Sequence, residues 1–208
     1  MSSTNEKPKG YYRVLAPDAS DWVSIPNDVE GIENREIFAL AGSALHQAQC
    51  LEHEIVNSLG LSAILPYWTT AKKPTSRREY FARVDQVWGE NYELTLGQLL
   101  RSLRQSGIKV PANLDSLLRE SLKKRNYLVH EYFRERANYW FTPEGRRAMA
   151  EELKSMEELF RTADRGLHNV TSPMSNTIGL TDEKIKAIAE LMAANANDEE
   201  INKVLAKK

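Results

Sequence analysis

Arg125-Asn126-Tyr127-Leu128-Val129-His130-Glu131-Tyr132 lies inside an uninterrupted helical pattern that runs from about Asn113 to Trp140. At 100° per residue, Leu114, Leu118, Leu122, Val129, Tyr132 and Phe133 fall on one side of that helix, and Arg125 falls among them. A guanidinium left dry and unpaired is costly, so Arg125 requires a partner or a chemical task. A second stripe runs beside the first. Arg119, Lys123, Asn126, His130 and Arg134 recur at steps of three or four residues, placing a titratable imidazole in a row of cations. A polyanion lying along that face would meet fixed positive charge. The bland alternative is a solvated helix surface with a snorkelling arginine.

The charge distribution is compatible with the first reading, although charge alone would favour the solvated surface. The chain of 208 residues has a net charge of −1, yet residues 101–147 hold 11 Lys/Arg against 5 Asp/Glu. The flanking regions are both acidic, so positive charge gathers around Arg125 and His130, as a nucleic-acid face requires.

Outward from this helix, the chain reads as a helical bundle. Residues 1–34 form an arm with Pro8, Pro17 and Pro26 and no helical period, and Tyr11, Tyr12, Trp22 and Ile25 suit packing onto another surface. From Glu36 to Leu59, the spacing of Ile37, Ala41, Ala44, Ala48, Leu51, Ile55 and Leu59 predicts an amphipathic helix. Gly60 and Pro66 predict its end and a loop through Pro74. Ser76-Arg77-Arg78-Glu79 has the form of a capping box, opening a helix with Tyr80, Phe81, Val84, Val87 and Trp88 inward. A shorter helix from about Thr95 to Ser106 carries Leu96, Leu99, Leu100 and Leu103. Thr142-Pro143-Glu144 opens another through Met149, Leu153, Met156, Leu159 and Phe160 to Gly166.

The expected fold class is therefore all-α, an up-and-down bundle of about five helices over residues 35–165. Residues 166–180, with Ser172-Pro173, read as a linker. Residues 181–208 read as a helical hairpin, capped at Thr181 and at Asn197, for docking or oligomerisation or simply as a solvated tail. No run approaches the length of a membrane span and the first ten residues are polar, so no signal peptide is expected. The single Cys50 precludes an internal disulfide and suits a reducing compartment, with cytoplasm as the default.

The pattern R-N-x-x-x-H-x-Y at Arg125, Asn126, His130 and Tyr132 resembles the signature of the HEPN family, R-x4-6-H with a polar residue often following the arginine. The resemblance covers about Glu36 to Asp164; outside the motif it rests on helix order. A second arginine-histidine pair, Arg161 and His168, is set aside because Gly166 is expected to break the helix between them.

The resemblance implies a metal-independent endoribonuclease that needs no cofactor. The RNA 2′-hydroxyl is the nucleophile, His130 moves the proton, Arg125 and Asn126 contact the phosphate, and a 2′,3′-cyclic phosphate results. Arg119, Lys123 and Arg134 would hold RNA. It implies a homodimer whose facing motif helices form a composite site, in toxin–antitoxin or phage-defence biology. It also implies an antitoxin or other regulatory protein as partner, with Tyr132 as a site of modification. The competing readings are a non-catalytic HEPN-like dimerisation or binding module, and a generic helical adaptor. His46, Cys50 and His53 share one face of the first helix and could in principle ligate zinc, but no fourth ligand is evident, so no metal is expected.

Overall fold

A computed structural model describes residues 11–13, 22–24, 28–69, 86–194, 197, 199–200 and 203–204. A short antiparallel ribbon, β1 (Tyr11–Arg13) with β2 (Trp22–Ser24), pairs Tyr12 with Val23 in the arm. The remaining elements are helical: α1 (Val29–Thr69), α2 (residues 86–92), α3 (Leu96–Gln105), α4 (Ala112–His130), α5 (Tyr132–Glu135), a 3-10 turn (Ala137–Phe141), α6 (Pro143–Thr177) and α7 (Asp182–Ala193). Among the described residues no helix is long and apolar enough to cross a membrane.

Two long helices form the frame. α1 packs along α6, and α3 and α4 complete the core on their flanks. All seven apolar positions expected to face inward from α1 are buried, as are Leu96, Leu99, Leu100 and Leu103 of α3. From α6 come Met149, Leu153, Met156, Phe160, Ala163 and Leu167. Burying each large side chain contributes about 1.5–3 kcal/mol, which is what holds these helices in register.

The caps follow from the sequence. Thr95 and Gln98 make reciprocal bonds at the start of α3, and Thr142 Oγ1 accepts from the Gly145 amide at the start of α6. Asn197 Oδ1 accepts from the amides of Glu199 and Glu200. The Ser76–Glu79 capping box, Tyr80, Phe81 and Val84 lie outside the described residues, as do Ile25 and Leu205.

Three expectations are corrected. First, α1 continues past Gly60 and Pro66 to Thr69. Gly60 is buried where the indole of Trp88 lies directly over the helix, and any added Cβ would collide with that ring. The glycine serves close approach rather than termination. Second, Gly166 does not break α6, and residues 166–177 are helix rather than linker. Leu167, Thr171 and Ser175 continue its buried face at four-residue steps. A Cβ on Gly166 would stand 2.8 Å from Leu114 Cδ1, so this glycine also admits a neighbour.

Third, the motif helix stops at His130, where Glu131 takes φ −129°. The chain then forms α5 and the 3-10 turn instead of one helix to Trp140. The buried face of α4 is also narrower than the expected stripe. Leu114, Leu118, Ser121, Leu128 and Tyr132 are buried, whereas Val129 and Phe133 are exposed.

One buried cation ties the beginning of the bundle together. Arg146 of α6, only 6% exposed, donates from Nε to Glu33 of α1 and from Nη1 to the Trp140 carbonyl, both at 2.6 Å. A buried guanidinium is tolerated here because both bonds are short and charge-assisted or carbonyl-directed.

Candidate functional site

The final turns of α4 present the motif. Arg125 lies on the inward side of α4, one turn from Ser121 and from Leu128. Its Nε donates to Oε1 of Glu52 on α1 at 3.1 Å, and its Nη1 reaches Asn126 Oδ1 at 3.5 Å. The partner required by Arg125 is thus supplied by the same chain. Asn126 and His130 are exposed, one helical turn apart, and the imidazole of His130 makes no side-chain hydrogen bond among the described residues.

The surrounding charge is less uniform than composition suggests. Asp115 binds both Arg104 and Arg119 at 2.9 Å. Arg136 forms a two-bond fork with Glu152, while Arg146 and Arg147 pair with Glu33 and Glu144. With Arg125 held by Glu52, six of the eleven cations in residues 101–147 have an acidic partner. Arg101, Lys109, Lys123, Lys124 and Arg134 have none among the described residues. Lys123 and Arg134 are exposed, and Arg119 is exposed but half-neutralised by Asp115.

Tyr132 points into the core. Its hydroxyl donates to the Met149 carbonyl at 3.0 Å, its ring meets Tyr127 and Phe133 edge-on, and only 1% of the residue is exposed. Burial pushes this phenol well above the ordinary tyrosine range, with Glu152 adding to the shift. In this setting the hydroxyl is not presented to a modifying enzyme. Instead it anchors the turn that follows His130 to α6.

The possible metal trio is dispersed in its interactions. Cys50 Sγ lies 3.7 Å from His46 Nε2, whereas His53 packs edge-on against Tyr92. No group of three His, Cys, Asp or Glu among the described residues has metal-holding geometry.

Two features escape the sequence reading. Next to the motif, Phe38, Phe133 and Trp140 form an aromatic cluster with centroid separations of 5.3–6.1 Å. Phe38 and Phe141 are exposed by 60% and 81%. Phe38 sits one residue from the buried Ile37, off the apolar stripe of α1, and its ring partners belong to other elements. Elsewhere, Glu54, His168 and Thr171 meet between α1 and α6. The assumed break at Gly166 concealed that convergence.

Against protein-family models, curated proteins and solved structures, the chain shows no match.

Proposed function

We propose that this chain is a HEPN-like, metal-independent endoribonuclease that acts as a homodimer, in toxin–antitoxin or phage-defence biology. The observation that carries the reading is the exposed, unbonded imidazole of His130. It stands at the end of α4 with Asn126 one turn away, on a stretch that also carries the exposed Lys123 and Arg134, which have no acidic partner among the described residues.

The chemistry needs one group to accept the 2′-hydroxyl proton and another to protonate the leaving 5′-oxygen. A histidine suits either role near neutral pH. Arg125 offers its guanidinium fork to the non-bridging oxygens as charge builds on the phosphorane. Asn126, within reach of Arg125, orients that fork or the phosphate. Lys123 and Arg134 contribute sequence-independent phosphate attraction. A single His130 cannot readily stand on both sides of the scissile phosphate, so the second copy comes from a partner protomer. The exposed Phe38 and Phe133, in ring contact with each other, support such pairing, because an exposed aromatic surface marks an interaction site.

The Arg125–Glu52 pair favours a second reading, a non-catalytic HEPN-like binding module in which Arg125 is structural. Digestion of single-stranded RNA in EDTA separates the two. Cleavage by the wild type and its loss in His130→Ala support the enzyme; an inert wild type that still binds RNA supports the module.

A further inference from the structure

A cavity of about 300 Å3 opens between α1, α2, α6 and the start of α7, and its lining includes no motif residue. Its walls are mostly apolar: Leu61 of α1, Trp88 of α2, then Leu180 and Ile185 at and before α7. Trp88 is held in place by its Nε1 donating to Asn57 Oδ1 at 3.2 Å, and by the glycine notch at Gly60.

One carboxylate stands in this lining. Glu54 Oε1 accepts from Thr171 Oγ1 at 3.3 Å and lies 3.6 Å from His168 Nδ1. Its Oε2 accepts no hydrogen bond among the described residues. No lysine or arginine pairs with it there, and the nearby Asp164 adds repulsion. The facing His168 is shared, because its Nε2 lies 3.5 Å from Asp182 of α7. A carboxylate in an apolar recess with one oxygen unspent attracts a positive group that brings its own hydrophobic body.

We propose that this cavity binds a small organic cation, with an ammonium or amidinium head on Glu54 Oε2 and an apolar or aromatic body against Leu61, Trp88, Leu180 and Ile185. The donor set argues against a bare metal ion, since no three ligating groups converge among the described residues. The volume accommodates a ring and a short amine arm, and the Trp88 indole offers a stacking surface or a cation–π contact. Four elements line the site, so occupation also ties the start of α7 to the bundle.

Protonation opposes binding. Burial, partly offset by His168, holds the Glu54 carboxyl above the usual glutamate range. Acid therefore neutralises Glu54 and removes its attraction for a cation.

The test is a titration of the full chain with 2-phenylethylamine, 2-phenylethanol and phenylacetate, followed by tryptophan fluorescence and isothermal calorimetry. The amine is expected to bind at least tenfold more tightly than the isosteric alcohol, with phenylacetate weakest. Glu54→Gln should retain its fold by circular dichroism and bind amine and alcohol alike. Equal binding of amine and alcohol by the wild type, preserved amine preference in Glu54→Gln, or no binding of the amine would each overturn the proposal.

Discussion

Arg125 and Glu52 form a 3.1 Å ion pair between α4 and α1, with side chains 30% and 22% exposed. The motif arginine is thereby fixed to the bundle while part of its guanidinium stays within reach of solvent. Partial exposure screens the pair, so its coupling energy should be about 1 kcal/mol or less in a double-mutant cycle.

Glu52→Gln follows directly from this pairing. Removing the carboxylate frees Arg125 and deletes a negative charge beside the proposed phosphate site. RNA affinity should rise several-fold at low salt, measured by fluorescence anisotropy, with a steeper salt dependence. Unchanged affinity would detach Arg125 from phosphate contact.

Tyr132→Phe tests the turn after His130. It removes the hydroxyl's bond to the Met149 carbonyl, which lies inside α6 and keeps its helical partner. Stability should fall by about 0.5–1.5 kcal/mol in chemical denaturation. Folded wild-type protein should resist tyrosine-directed modification at this position, read by mass spectrometry; ready modification would show that the turn opens.

Gly60→Ala should displace the Trp88 ring, which covers this glycine. Overpacking of this kind costs about 1–3 kcal/mol, so a lowered melting temperature and altered tryptophan emission are expected.

Glu54 gives a pH dependence of defined sign. Its folded pKa is raised, chiefly by desolvation. A raised carboxyl contributes stability that is full below its unfolded value, near 4.5, and is lost as pH rises through the folded value. Glu54→Gln should thus be more stable than the wild type at neutral pH, with the advantage disappearing in acid. Denaturant melts across that range measure it.

Deleting residues 166–208 should abolish cooperative folding, because Leu167, Thr171 and Ser175 are buried on α6. This outcome contrasts with the dispensable tail that a linker at 166–180 implies. Removal of residues 181–208 alone should leave a cooperative melt.

These cases show where the sequence was readable. Leucine and alanine spacing identified the buried faces of α1 and α3, because a packed helix interface repeats every three to four residues. Thr95 and Thr142 announced their helix starts through local hydrogen bonding. Glycine and proline misled because a long partner helix outweighs their local cost. Pro66 lies inside α1, and Ser172-Pro173 lies inside α6 beside the buried Thr171 and Ser175. Small hydroxyl residues buried by bonding to their own backbone, such as Thr171 to the Leu167 carbonyl, resemble loop composition. The site was legible as residue types along α4, but Glu52 belongs to another helix 73 positions away, and only packing brings it to Arg125.

The most direct measurement is cleavage of a defined single-stranded RNA by purified protein in EDTA, with product termini identified by mass spectrometry. The wild type should leave 2′,3′-cyclic phosphate ends, and His130→Ala should be slower by about 10²–10⁴-fold while retaining its fold and oligomeric state. Equal cleavage by the wild type and His130→Ala, or products lacking that terminus, would contradict His130 as the proton-transfer residue.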